Sequence, residues 1–331
     1  MNVLTNILNE WQERQFVGPE QRQRLEARER SRPVSLFLFL RSLLSTGVLL
    51  LAAGLGIVIY QHIDTIGHDA LLILLALLTA GCFYYAYRHR PPLSTAYVAS
   101  PKPLADYVLL LGCTLFLVLE GYAQWRYQLF GTRYGLATLL PALLFLFCAY
   151  RFDHRGVLSM GLTALASWAG LTVTPLRVWA TNDLSDPRLV LTALGVGTLL
   201  VGASYLLERR AIKPHFSYTY WLLGGNLFLV AALAGVFAWE ASTLLYALGL
   251  AAGCAAAYFY ARRSQSFLFL LMAVVYGYVG FTYLLFRVMP EELWAFFGLL
   301  YVVASAVGVL WFFLNYKKIL SLTPPPHETI P

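Results

Sequence analysis

Residues 217–263 read SYTYWLLGGNLFLVAALAGVFAWEASTLLYALGLAAGCAAAYFYARR, and Glu240 is the only charged residue before Arg262. Trp239-Glu240-Ala241-Ser242 divides the stretch into two apolar runs, about 217–239 and 242–260. Each has the roughly 20 residues that an α-helix needs to cross about 30 Å of hydrocarbon. Lipid offers the backbone no water, so runs of this kind must close their hydrogen bonds internally, as helices. The stretch therefore reads as a transmembrane hairpin ending in a pair of arginines.

The same pattern extends in both directions. Counting apolar runs predicts ten helices, near 36–60, 70–87, 106–125, 134–150, 157–175, 188–207, 217–239, 242–260, 266–287 and 293–315. Over the whole 331 residues, 59% are apolar and 12% charged, against about 45–50% and 25% in a soluble domain. A soluble globule is excluded, and the fold class is an all-α polytopic transmembrane bundle of about ten spans arranged as consecutive hairpins.

Lysine and arginine set the expected orientation. Arg88 and Arg90, Arg151 and Arg155, Arg209, Arg210 and Lys213, Arg262 and Arg263, and Lys317 and Lys318 follow the even-numbered runs. With the amino-terminal arginines, Arg41 and Lys102, 19 of the 24 positive residues fall on one side, leaving Arg126, Arg133, Arg177, Arg188 and Arg287 for the other. The positive-inside rule then puts both termini in the cytoplasm. The net charge of +7 follows from these flanking residues and their attraction to anionic membrane lipid, so no nucleic-acid partner is expected.

Three domains are expected. Residues 1–33 form a cytoplasmic helical hairpin: Leu4, Ile7, Leu8 and Trp11 share one helical face, Gly18-Pro19 breaks the chain, and a second helix runs through Leu25. Trp11, Leu8 and Leu25 are its candidates for docking a cytoplasmic protein, although the segment also suits one lying on the membrane surface. Residues 34–318 form the bundle, and 319–331, with Pro324-Pro325-Pro326, a disordered tail. Small residues four apart, Ala52 and Gly56, Ala166 and Gly170, Ala193 and Gly197, Ala231 and Gly235, Gly249, Gly253 and Ala257, and Ala304 and Gly308, allow close helix approach. They serve either one compact bundle or a homo-oligomer.

Trp11, Phe16-Val17-Gly18-Pro19-Glu20-Gln21 and Leu25, followed by Ser45-Thr46-Gly47-Val48-Leu49-Leu50-Leu51-Ala52-Ala53-Gly54, carry a resemblance over roughly the first 90 residues. In these the chain resembles bacterial predicted membrane proteins of domain-of-unknown-function family 2157. The resemblance implies a bacterial inner-membrane protein and supplies no activity.

Ionisable groups inside hydrocarbon are costly and hence candidate sites. Glu120 ends the twelve-residue apolar stretch Val108–Leu119, about 18 Å of helix and too short to span. Either the helix ends there, or Glu120 faces the bundle, protonated or paired with Arg126 or with a polar group such as Asn226. Glu120, Asn226 and Arg126 are thus the ligand or ion candidates. His62, Asp64 and His68 match no zinc spacing, and Cys82, Cys113, Cys148 and Cys254 are isolated packing residues, so no metal, cofactor or catalytic residue is assigned. Tyr218, Tyr220 and Trp221, and Tyr276, Tyr278 and Tyr283, form either an interfacial belt and packing or an aromatic cavity. Pro141 and Gly224-Gly225 could interrupt helices, as at the midplane sites of transporters, but they do not fall in matching positions of two halves. The leading functional reading is a non-catalytic membrane binding or scaffold protein. A transporter of a small molecule, lipid or ion is the alternative, and a membrane enzyme acting on lipid or glycan is third.

Overall fold

The structure, a computed structural model, describes residues 36–61, 67–96, 98, 102–131, 134–173, 186–239 and 242–320, with Gly18 and Gln21. Among the described residues there are ten α-helices and no strand: α1 Leu36–Gln61, α2 His68–Arg88, α3 Pro103–Tyr127, α4 Tyr134–Phe152, α5 Arg155–Val173, α6 Pro187–Arg209, α7 Ser217–Ala238, α8 Thr243–Ser264, α9 Phe267–Val288 and α10 Glu291–Ile319. A single 3-10 turn, Pro214–Phe216, leads into α7. Eight helices are long and apolar enough to cross a membrane; α1 contributes only the shorter apolar run Ser42–Gly54, and α5 is not among the eight. The docking candidates Trp11, Leu8 and Leu25 lie outside the described residues, as do His62 and Asp64. At the other end α10 runs through Ile319 and Leu320 is fully buried, so the helix reaches into the first residues of the expected tail. Residues 321–331 lie outside the description.

Local chemistry explains the ends. Pro103 and Pro187 start α3 and α6, where a missing N–H is harmless, and the Asp186 carboxylate accepts the Arg188 N–H at 2.9 Å. Gln128 and Gln265 close α3 and α8 in the left-handed region, at φ 49° and 51°. Inside the spans, threonine hydroxyls turn back onto their own helix, Thr198 donating to the Leu194 carbonyl and Thr172 to that of Trp168, both at 2.7 Å.

Two compact units divide the chain, Met1–Ala164 and Leu165–Pro331. In the first, α3 packs against α1, α2 and α4. Leu71 and Leu75 of α2 meet Leu115 of α3, while Phe116 of α3 meets Phe145 of α4 edge-on at 6.1 Å. In the second, α7 is central and touches α6, α8 and α9. Its Trp221, Leu229, Ala232 and Val236 share a core with Leu250, Ala257, Phe269 and Met272. Consecutive helices pair as hairpins, most extensively α2 with α3, α6 with α7, and α8 with α9. Each of these three turns through a basic connection.

Small residues are used unequally. A Cβ on Gly197 of α6 would stand 2.8 Å from the Gly224 carbonyl and the Phe228 nitrogen, and one on Gly253 of α8 2.8 Å from the Phe228 ring. Gly56 and Gly308 have nothing within 4 Å. The spacing that suggested six close approaches therefore marks helix crossings at some positions and, among the described residues, open space at others.

The basic connections gather at one end within each unit. In the first, Arg151 Nη1 donates to the Pro91 carbonyl at 3.0 Å and the Val98 N–H to Asp153 Oδ2 at 2.9 Å, joining the α4–α5 turn to the α2–α3 connection. In the second, Arg263 pairs with Glu208 at 3.0 Å and Gln265 donates to the Leu320 carbonyl at 2.8 Å. These contacts bring the α6–α7 and α8–α9 turns and the end of α10 together.

Candidate functional site

Leu109, Cys113, Phe116 and Glu120 recur at helical spacing on one face of α3. Cys113 of α3 and Cys148 of α4 are both buried. Phe116 on the same face meets Phe145 of α4 edge-on. Glu120 is 8% exposed, and its Oε1 has no hydrogen-bond partner among the described residues. α3 continues seven residues beyond it to Tyr127, so Glu120 does not mark a helix end. Pro141 has no N–H to give the Ala137 carbonyl one turn earlier, yet α4 runs through it unbroken. A carboxyl set here can hold a proton or accept from a cation.

Arg126 stands apart from that carboxyl. It is exposed, lies over the Tyr127 ring at 5.6 Å, and forms no ion pair with Glu120. The end of α3 is instead tied to α2: the Tyr122 hydroxyl and His68 Nδ1 are 2.6 Å apart, and the Tyr127 hydroxyl donates to Asp69.

Asn226, the other intramembrane candidate, is engaged within its own unit. Its amide donates to the Leu222 carbonyl at 2.9 Å and to the Met272 sulfur at 3.4 Å, and its oxygen accepts from the Tyr276 hydroxyl at 3.0 Å. α7 passes through Gly224-Gly225 without a break. Neither Pro141 nor the glycine pair interrupts its helix. Pro141 is accommodated within α4, and the glycines serve close packing, since a Cβ on Gly224 would stand 2.6 Å from that of Leu200.

The second unit also assembles a polar site that the sequence reading did not single out. Glu208, at the end of α6, accepts from the Ser217 hydroxyl at 2.6 Å through Oε1 and from Arg263 Nη2 at 3.0 Å through Oε2. Ser217 is in turn 2.7 Å from the Ser204 hydroxyl. Glu208, Pro214, Tyr260, Arg263 and Ser264 enclose a cleft of about 350 Å³. Beside it Trp221 stacks on Tyr260, centroids 5.0 Å apart and planes 10° from parallel, with Phe269 edge-on to both. On the far side of that stack lies an apolar groove of about 240 Å³ between α6, α7 and α8. The available sequence signal was Glu208 itself, an acid placed directly before Arg209-Arg210. Of the sequence-predicted aromatics, Trp221 and Tyr218 join this cluster, Tyr276 holds Asn226, and Tyr283 packs on Phe237 at 4.5 Å. Among the described residues no three His, Cys, Asp or Glu side chains form a metal-sized group.

Residues 9–158 match the model of a family described as a predicted membrane protein, DUF2157. The match carries the likeness beyond the first two helices, through α4 and into α5. No curated protein and no solved structure matches the chain.

Proposed function

We propose that this membrane protein, similar over residues 9–158 to a family with no assigned activity, is a non-catalytic binding or scaffold protein of the bacterial inner membrane with both termini in the cytoplasm. The observation that carries this reading is the gathering of basic connections at one end of each unit, held by Arg151 to Pro91 and by Arg263 to Glu208. A face cross-tied in this way is a fixed platform, and positive charge beside membrane spans is retained on the cytoplasmic side. Residues 1–33 would add a docking element to that platform. Reporter fusions after Arg90, Arg155, Arg210 and Arg263 should all read cytoplasmic, and one periplasmic reading among them would sink the orientation. Deleting residues 1–30 should leave the melting temperature of the purified protein unchanged while removing its crosslinks to a cytoplasmic protein. An aggregated truncation would mean that the segment belongs to the fold.

A second reading, transport of an ion or small molecule, is favoured by one observation: the buried, unpartnered Glu120 oxygen inside α3.

A further inference from the structure

The polar cleft and the apolar groove of the second unit lie along one surface. On α8, Ala252, Ala256, Tyr260 and Arg263 follow at spacings of four, four and three, which places them on a single helical face. Ala252 and Ala256 line the groove, whereas Tyr260 and Arg263 line the cleft. α6 runs alongside in the same sense of environment, with Thr198 and Val201 on the groove and Glu208 on the cleft. α7 supplies the floor through Phe228, Gly225 and Trp221. Gly225 is required there, because a Cβ at this position would stand 2.5 Å from the Trp221 ring. Its absence lets the indole lie along α7 and stack on Tyr260.

We infer that this surface binds one membrane phospholipid, with an acyl chain in the groove and the phosphate against Arg263, resting on the binding role proposed above. Three features favour that occupant. From Ala252 to Arg263 the face extends about 16 Å along α8, half the roughly 30 Å hydrocarbon thickness and thus the depth of one leaflet. Polarity changes once along it, from alanine, valine and phenylalanine to an ion pair with serine and tyrosine, as it does along a lipid. The charged end is also net basic. Glu208 is already held by Ser217 and Arg263, and Arg209, Arg210 and Arg262 are exposed on the same connections. Arg263 uses Nη2 on Glu208 and its side chain is 68% exposed, so the remaining donors of its guanidinium fork are open to a phosphate.

Native mass spectrometry of the full chain in detergent tests this with phosphatidylglycerol and diacylglycerol of matched chains as probes. Wild type should hold one phosphatidylglycerol about tenfold more tightly than diacylglycerol. Ala256→Phe, which fills the groove from an exposed position, should weaken both by about tenfold. Arg263→Gln should bring phosphatidylglycerol down to the diacylglycerol level and leave diacylglycerol unchanged. The double variant Glu208→Gln, Arg263→Gln removes the charge pair as a whole and should behave like Arg263→Gln, which keeps the test valid should the single change unfold the protein. Retention unchanged in both Ala256→Phe and Arg263→Gln overturns the site, and loss in Ala256→Phe alone overturns the phosphate contact. If Ala256→Phe instead dissociates a dimer with lipid retention unchanged, the groove seats a second copy and the proposal fails. Failure here leaves the orientation and docking results standing, because those are read from the fusions and the amino-terminal deletion.

Discussion

Asn226 in the second unit and Glu120 in the first are both polar side chains within apolar helices, and their surroundings differ. Asn226 sits two residues from Gly224, at a crossing so close that glycine backbones meet. There its amide and oxygen find Leu222, Met272 and Tyr276. Glu120 lies on the face of α3 that carries Cys113 and Phe116, and one of its oxygens has no partner among the described residues. A polar group with its hydrogen bonds made in lipid acts as a clasp between helices. One left open is held at a cost, and that cost is what makes it a candidate for proton or cation binding.

The largest expected effect tests the close crossing. Gly197→Leu drives a side chain into the α7 backbone and should cost about 3 kcal/mol, lowering the melting temperature of the purified protein by roughly 6–12 °C. Gly195, two residues away on α6, has nothing within 4 Å, and Gly195→Leu should leave the melting temperature unchanged. Equal losses at both positions would break the distinction between packed and unpacked glycines.

A smaller effect concerns the clasp. Asn226→Leu should destabilise by about 1 kcal/mol, within the range for hydrogen bonds between membrane helices. Tyr276→Phe should cost less, and a double-mutant cycle should show coupling of about 0.5 kcal/mol or more. Strict additivity would mean that the Tyr276–Asn226 hydrogen bond contributes nothing to holding α7 on α9.

The smallest stability change, within about 0.5 kcal/mol, is expected for Glu120→Gln, since an amide replaces a carboxyl that holds no ion pair. What should change is reactivity. A lipid-soluble carbodiimide should modify Glu120 in the intact protein and the label should vanish in Glu120→Gln, while a water-soluble carbodiimide leaves Glu120 untouched. Equal labelling by the water-soluble reagent would show a wetted carboxyl and remove the contrast with Asn226.

Much of this organisation is present in the chain as a linear pattern. The ten apolar runs became ten helices because each helix closes its hydrogen bonds within its own segment, so membrane-length runs can be read one at a time. The alternation of basic connections was legible for the same reason, and within each unit the contacts of Arg151 and Arg263 bring them to one end. Glu120 was visible as an acid in an apolar run. Its burial was settled only by tertiary packing, because a run of twelve apolar residues is equally compatible with a helix that stops early. The Glu208 cleft was not singled out: its residues come from α6, the turn before α7, and α8, and each taken alone reads as an ordinary headgroup-level residue. Hydropathy and charge order are properties of single segments, and the sequence alone determined them, with the helical class and the ten apolar helices found among the described residues. Which glycines meet a neighbour, which polar group is clasped and which is left open, and whether a cleft opens beside Arg263 depend on helix rotation and register. Those were decided only by the tertiary structure, because in lipid no difference in apolarity between solvent and interior tells a helix which face to bury.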